Sequence, residues 1–193
     1  MTAFLVILFA YLLGSVPTGF LLGSLAGVDV RKTGSGNVGA TNVGRVAGKK
    51  HGILTLLGDT AKGFVPVFVA LQMGLGAAAT GLVALAAFLG HLYPVFLKFQ
   101  GGKGVATALG ALLALTPPAT LVLMVIFSLV AAASRTVSLA SIVAAGAAPV
   151  AIWLFGYPPA STGVGLVMAL LVVWRHRDNI ERLRAGVEPK FTR

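Results

Sequence analysis

Gly104-Val-Ala-Thr-Ala-Leu-Gly-Ala-Leu-Leu-Ala-Leu-Thr-Pro-Pro-Ala-Thr-Leu-Val-Leu-Met-Val-Ile-Phe-Ser-Leu-Val-Ala-Ala-Ala133 is an uncharged run with two adjacent prolines near its middle. Read as one kinked helix, it crosses a membrane once. Read as a pair of helices, it crosses twice and returns the chain to the side it left. Proline fixes φ and lacks an N–H, so Pro117-Pro118 suits a turn between two apolar segments.

The charges on either side decide between these readings. Lysine, arginine, aspartate and glutamate occur only at 29–62, 98–103, 135 and 175–193, and the turns near 74–78, 117–118 and 157–161 carry none. Basic residues collect in cytoplasmic loops. All the basic clusters share one side only if spans run over 2–27, about 60–75, 77–97, 104–116, 119–133, 138–156 and 160–174. A single kinked helix over 104–133 would place Arg135 and the basic tail outside, so the hairpin is preferred. The expectation is an all-α integral membrane protein of seven transmembrane helices, with the N terminus outside and the C terminus cytoplasmic. Some helices are short: 104–116 rises only about 20 Å against a hydrocarbon core of about 30 Å, which calls for local thinning or a start inside a cavity.

Composition agrees. Of the 193 residues, 57% are hydrophobic and 10% charged, and the mean hydropathy is +0.94; one soluble core cannot bury that much apolar surface. The net charge of +10 is read as topology rather than as nucleic-acid binding. The absence of cysteine excludes a disulfide framework and a thiolate nucleophile. No basic residue precedes the first apolar run, which therefore reads as a retained span. Neither an internal repeat nor a separate domain is visible, so 1–193 is expected to be a single transmembrane domain. Gly19, Gly23 and Gly27 share a helix face and predict close packing.

Three polar stretches interrupt the apolar ones. Gly34-Ser-Gly-Asn-Val-Gly-Ala-Thr-Asn-Val-Gly-Arg45 combines glycines, hydroxyls and amides with one cation and no acid. Glycines let successive N–H groups face one point, Ser35, Asn37, Thr41 and Asn42 add donors and Arg45 adds charge, which suits phosphate. Its G-x-G-x-x-G spacing is not a dinucleotide fingerprint, because a membrane span rather than a strand precedes it; the bland reading is a flexible turn. In Lys98-Phe-Gln-Gly-Gly-Lys-Gly-Val-Ala-Thr107, Gly101, Gly102 and Gly104 surround Lys103 just before an apolar helix. That arrangement also suits phosphate, although the P-loop spacing is absent; Lys98 reads as an interfacial anchor. The tail from Trp174 to Lys190 continues the last span as a polar helix on which His176, Asn179 and Arg182 or Leu183 lie near one face. Its arginines suit anionic lipid, whereas His176 and Asn179 are the functional candidates. Asp59 and Lys62, about one turn apart at the mouth of the second span, predict an ion pair. His51 is expected to be solvated and His91 to sit at a helix end.

Taken together, the Gly34–Arg45 loop, the Lys98–Thr107 stretch and His176-Arg-Asp-Asn-Ile-Glu-Arg-Leu, followed by Gly186 and Glu188-Pro-Lys190, resemble the bacterial acyl-phosphate:glycerol-3-phosphate acyltransferase family. The match covers essentially the whole chain, and a departure such as Gln100 falls outside the groups assigned to chemistry. The resemblance implies an acyltransferase of the bacterial cytoplasmic membrane with its active site facing the cytoplasm. Its reaction would move a fatty acyl group from acyl phosphate to the 1-hydroxyl of sn-glycerol 3-phosphate, giving lysophosphatidic acid and phosphate. It implies catalytic roles for Ser35, Arg45, Lys103, His176 and Asn179. Substrate or phosphate contacts then fall to Gly34, Gly36, Asn37, Thr41, Asn42, Gly101, Gly102, Gly104, Thr107, Arg177 and Glu181.

The chain lacks the H-x-x-x-x-D pair of acyl-CoA-type acyltransferases, since His176 to Glu181 is the nearest approach and has the wrong acid. Direct attack without an acyl-enzyme is therefore expected, with His176 or a substrate phosphate taking the proton. Neither cofactor nor metal is needed, because five scattered acids do not make a carboxylate cage. No obligate protein partner is inferred beyond the substrates and the bilayer. The rival reading is an organic-phosphate transporter, which would need access from both faces.

Overall fold

The computed structural model describes residues 1–191. Among them the chain forms α1 (Thr2–Gly14), α2 (Thr18–Leu25), α3 (Ala40–Val46), α4 (Lys49–Gln72), α5 (Ala77–Leu92), a 3₁₀ turn (Val95–Leu97), α6 (Val105–Leu115), α7 (Pro117–Ser134), α8 (Val137–Leu154), α9 (Pro159–Arg175) and α10 (Arg177–Arg184). Two compact units result, Met1–Leu115 and a second beginning at Thr116.

In the first unit α4 is the central helix, packed against α1, α2, α3, α5 and α6. Small residues set these distances. A Cβ at Gly63 would strike the Thr107 carbonyl and one at Gly110 the Thr60 carbonyl, so α4 and α6 meet backbone to backbone. Gly14 and Gly90 do the same for α1 and α5, against Ala87 and Tyr11. This is how helices associate where lipid supplies no hydrophobic driving force. The predicted close packing holds at Gly19, against Val38 and Thr55, and at Gly23, against Val30, while Gly27 at φ +74° has nothing nearby.

Pro17 breaks the first apolar stretch between α1 and α2. A break inside a bilayer is tolerated only where the freed carbonyls find donors. Here the Val16 carbonyl accepts from Lys62 Nζ at 2.9 Å and from the Thr18 N–H at 3.0 Å. Helix α4 begins at Lys49 rather than near 60 and runs on through Pro66. Asp59 and Lys62 therefore lie inside it, 2% and 5% exposed, and not at its mouth. Lys49, Lys50 and His51, whose polarity suits a loop, form the helix's first turn.

The second unit stacks α7 on α8 and α8 on α9, with α10 against the end of α9. The chain does break at the paired prolines. Thr116 leaves helical geometry, and Pro117 and Pro118 occupy the first turn of α7, where a missing N–H does no harm. The tail is tied back by the Phe191 N–H donating to the Arg135 carbonyl at 2.9 Å.

Five stretches are long and apolar enough to cross a bilayer: Thr2–Leu25, Lys49–Gln72, Ala77–Leu97, Pro117–Ser134 and Val137–Leu154. Val105–Leu115 and Pro159–Arg175 are apolar but shorter. Large apolar side chains cover the surface, and a few ionisable ones are buried. Val125 and Leu129 are 57% and 66% exposed, while Asp59, Lys62 and His91 are buried. An apolar exposed surface is what lipid as solvent selects, and buried ionisable groups are kept there only with partners.

Candidate functional site

The Gly34–Arg45 loop is organised by Asn42, which is 3% exposed above a small core of Val30, Val38 and Val43. Its Nδ2 donates to the carbonyls of Val30, Thr33 and Asn37 at 3.0, 3.1 and 2.9 Å, and its Oδ1 accepts the Ser35 N–H at 2.8 Å. Asn37 Oδ1 accepts the Gly39 N–H at 2.7 Å, an Asx turn leading into α3. The Asn42 amide is thus matched to the loop's own peptide groups, whereas Asn37 uses its Oδ1 within the loop and is half-buried. Gly34, at φ +62°, has no room for a Cβ because it would strike Asn42 Oδ1. Ser35, Gly36, Thr41 and Arg45 remain on the exposed side. At the loop's entrance Arg31 pairs with Asp29 through two 2.9 Å bonds, and that guanidinium holds the Asp29 carboxyl down at about 2.

The Lys98–Thr107 stretch folds back onto the end of α5. The Gly101 N–H donates to the Leu92 carbonyl at 3.1 Å and the Gly102 N–H to the His91 carbonyl at 3.2 Å. These two amides satisfy helix-terminal carbonyls and fix the stretch against the end of α5. The glycines are required for proximity: a Cβ at Gly101 would strike the His91 carbonyl, and one at Gly102 the His91 ring. Lys103 follows, half-buried, then Gly104 at φ +82° packed on Phe88. Thr107 is fully buried, and its Oγ1 has no hydrogen-bond partner among the described residues. Lys98 is exposed.

Next to this stretch lies a buried ionisable set. Lys62 Nζ is 3.0 Å from Asp59 Oδ1, confirming the predicted ion pair, and His91 Nδ1 is 3.7 Å from the same oxygen. His91 does sit at a helix end, but buried, 5% exposed. Asp59, Lys62, His91, Ser15, Pro17 and Thr18 line a cleft of ≈ 210 Å³, its open mouth included. The signal was available: ionisable residues inside an apolar span are costly to bury and are kept for a purpose.

In the second unit the helix turns at His176, between α9 and α10. His176 is 3% exposed, and its Nδ1 lies 2.8 Å from the Val172 carbonyl. A carbonyl only accepts, so Nδ1 carries a proton, and in the neutral ring the lone pair is then on Nε2. Asn179 and Arg182 share a face, as expected, and both reach Glu188. Glu188 Oε1 accepts from Asn179 Nδ2 at 2.6 Å and Ser138 Oγ at 2.7 Å, and Oε2 accepts from Arg182 Nε at 2.7 Å. Burial pushes the Glu188 carboxyl up, but these three donors outweigh it and hold the group below its ordinary value. Ser138 gave no sign of this contact in the sequence. Arg177 and Glu181 are exposed, Arg177 lying over the Trp174 ring at 5.1 Å.

Fold and site together define a multi-pass, all-helical membrane protein with polar residues at helix breaks and helix ends and a buried ion pair within α4. A profile of the glycerol-3-phosphate acyltransferase family matches residues 4–186. The glycerol-3-phosphate acyltransferase of Syntrophotalea carbinolica is 52% identical over 99% of each chain, and that of Geobacter metallireducens 57% over 94% of each. Crystal structures of PlsY (YgiH), an integral membrane glycerol 3-phosphate acyltransferase, align at TM-scores of 0.96 in the glycerol 3-phosphate form and 0.93 in the lysophosphatidic acid form. Each is 43% identical and covers 100% of this chain and 96% of the other. The chain belongs to the glycerol-3-phosphate acyltransferase family. It is an acyltransferase.

Proposed function

We propose that this enzyme transfers a fatty acyl group from acyl phosphate to the 1-hydroxyl of sn-glycerol 3-phosphate, releasing lysophosphatidic acid and inorganic phosphate as the first step of phospholipid synthesis. The observation that carries the reading is the pair of PlsY forms, one with the acceptor and one with the acylated product, at 43% identity over the whole chain. The donor is the one that the resemblance to the acyl-phosphate-dependent family implies. An acyl phosphate is a reactive mixed anhydride, so no enzyme nucleophile is needed, and the chain holds no cysteine. The glycerol oxygen attacks the acyl carbon, the carbon–oxygen bond to phosphate breaks, and the electron pair leaves with the phosphate. The hydroxyl proton passes to His176 Nε2 or to a phosphate oxygen.

Arg45, Lys103 and Asn179 are assigned to phosphate binding and carbonyl polarisation. Ser35 and Thr41 add hydroxyl donors, Thr107 a buried one, and Arg177 and Glu181 contribute from α10. Gly34, Gly36, Asn37, Asn42, Gly101, Gly102 and Gly104 belong to the two loops that contact substrate phosphate, with Asn42 and the glycines also shaping them. Positioning contributes about 7–11 kcal/mol to such a reaction and each preorganised donor about 3–4 more, without a strong base. The charge segregation and seven apolar stretches support seven spans with the N terminus outside and the active site facing the cytoplasm of a bacterial inner membrane. A family match running through both units supports one acyltransferase domain over 1–193.

Purified protein in lipid, given glycerol 3-phosphate and palmitoyl phosphate, is expected to form lysophosphatidic acid and phosphate in equal amounts. Labelled acyl chain trapped covalently on the protein would overturn the direct attack.

A further inference from the structure

We propose that His91, held by the buried Asp59–Lys62 pair, is the positioning residue that sets where Lys103 stands. The inference rests on the reading of Lys103 as a phosphate-binding residue. A continuous line of contacts carries it. The Val16 carbonyl at the α1–α2 break accepts from Lys62 Nζ at 2.9 Å, Lys62 stands 3.0 Å from Asp59, and Asp59 stands 3.7 Å from His91 Nδ1. The other edge of the imidazole lies against the backbone of Gly102, so closely that a Cβ there would strike Nε2 and come within 3.0 Å of Cε1 and 3.2 Å of Cδ2. The Gly102 N–H also donates to the His91 carbonyl at 3.2 Å. Gly102 immediately precedes Lys103.

Stability alone does not account for this set. Three ionisable groups at 2–5% exposure are expensive to bury in a lipid-facing bundle, and an apolar set of similar volume is often as stable. The buried imidazole is packed between Asp59, 3.7 Å from its Nδ1, and the Gly102 backbone at its other edge. It therefore gives the Gly102 backbone a rigid wall, and the lysine one residue on inherits that position.

A double-mutant cycle tests this through the KM for glycerol 3-phosphate at saturating palmitoyl phosphate. Gly102→Ala is expected to raise KM about tenfold with His91 present and less than about threefold in the His91→Ala background, because the clash is with the ring. Gly101→Ala, whose Cβ meets the His91 backbone carbonyl, is expected to have the same effect in both backgrounds. His91→Ala alone is expected to raise KM several-fold with kcat within about twofold, whereas a merely structural role would lower the active fraction and hence kcat. Equal Gly102→Ala penalties in both backgrounds, or a loss confined to kcat, would overturn the proposal. Should Gly102→Ala fail to fold, amide exchange in His91→Ala decides. Exchange about tenfold faster at Gly101 and Gly102 with α4 unchanged supports the proposal, and unchanged exchange overturns it. This readout needs no turnover, so the proposal stands or falls separately from the reaction. An unaltered KM in Lys103→Ala alongside faster exchange would refute only the phosphate assignment.

Discussion

Asp59 and Glu188 are carboxylates that organise polar residues in opposite surroundings. Asp59 lies within a helix long and apolar enough to span a bilayer and is met by a lysine and a histidine. Glu188 follows the last helix and gathers a hydroxyl from α8, an amide from α10 and one arginine. Where lipid is the solvent, a buried charge is balanced by an opposite charge close by. At the end of the bundle, a carboxylate can instead tie together segments distant in sequence. Each hub also lies next to a residue assigned to chemistry, Asp59 to Lys103 through His91, and Glu188 to Asn179 directly.

The comparison is broken most severely at Asp59. Asp59→Asn leaves Lys62 buried without a counter-charge and is expected to lower stability by about 3–5 kcal/mol, seen as a fall in thermal unfolding temperature in lipid or detergent. Replacing both, as Asp59→Leu with Lys62→Leu, is expected to recover most of that loss while leaving the KM for glycerol 3-phosphate raised. Recovery of KM as well would make the pair a matter of stability alone.

Lys103→Ala comes next and is expected to raise the KM for glycerol 3-phosphate about 100-fold or to abolish turnover, since a charge-assisted phosphate contact and its positioning are lost together. Kinetics like the wild type would remove Lys103 from the site. His176→Ala sharpens the other side. A fall in kcat of about 100-fold with saturating substrates assigns the proton to the imidazole, and near-normal turnover assigns it to a phosphate of the substrate.

The smallest effect is expected at Glu188. Glu188→Gln keeps the shape but weakens three hydrogen bonds to a charged acceptor, for a loss of about 1–3 kcal/mol. Its pH dependence has a definite sign. Because the folded carboxyl is held below its ordinary value, its stabilisation is present above the unfolded value and disappears as pH falls through the folded one. Unfolding measured between neutral and acid pH should therefore show the wild type and Glu188→Gln converging as the pH falls.

The helical class, the break at Pro117-Pro118 and the Asp59–Lys62 pair were legible in the sequence, because each follows from charge placement, proline chemistry or helical spacing. The start of α4 was not, since Lys49, Lys50 and His51 read equally well as loop or as a polar first turn. The structural roles of Asn42 and Gly102 are not visible in the sequence. An amide and a glycine suit anion binding and loop construction alike, and only the partners at Val30, Thr33 and Asn37 or the His91 ring distinguish them. Ser138 and Glu188 are 50 residues apart, a separation over which neither periodicity nor local motif gives a signal.

The central claim is that a mixed anhydride, not a thioester, donates the acyl group. Purified enzyme reconstituted in lipid should be given glycerol 3-phosphate with either palmitoyl phosphate or palmitoyl-CoA, and lysophosphatidic acid measured. Turnover with palmitoyl phosphate and none with palmitoyl-CoA is the predicted result. Turnover with palmitoyl-CoA, or with neither donor by a folded protein that still binds glycerol 3-phosphate, would contradict it.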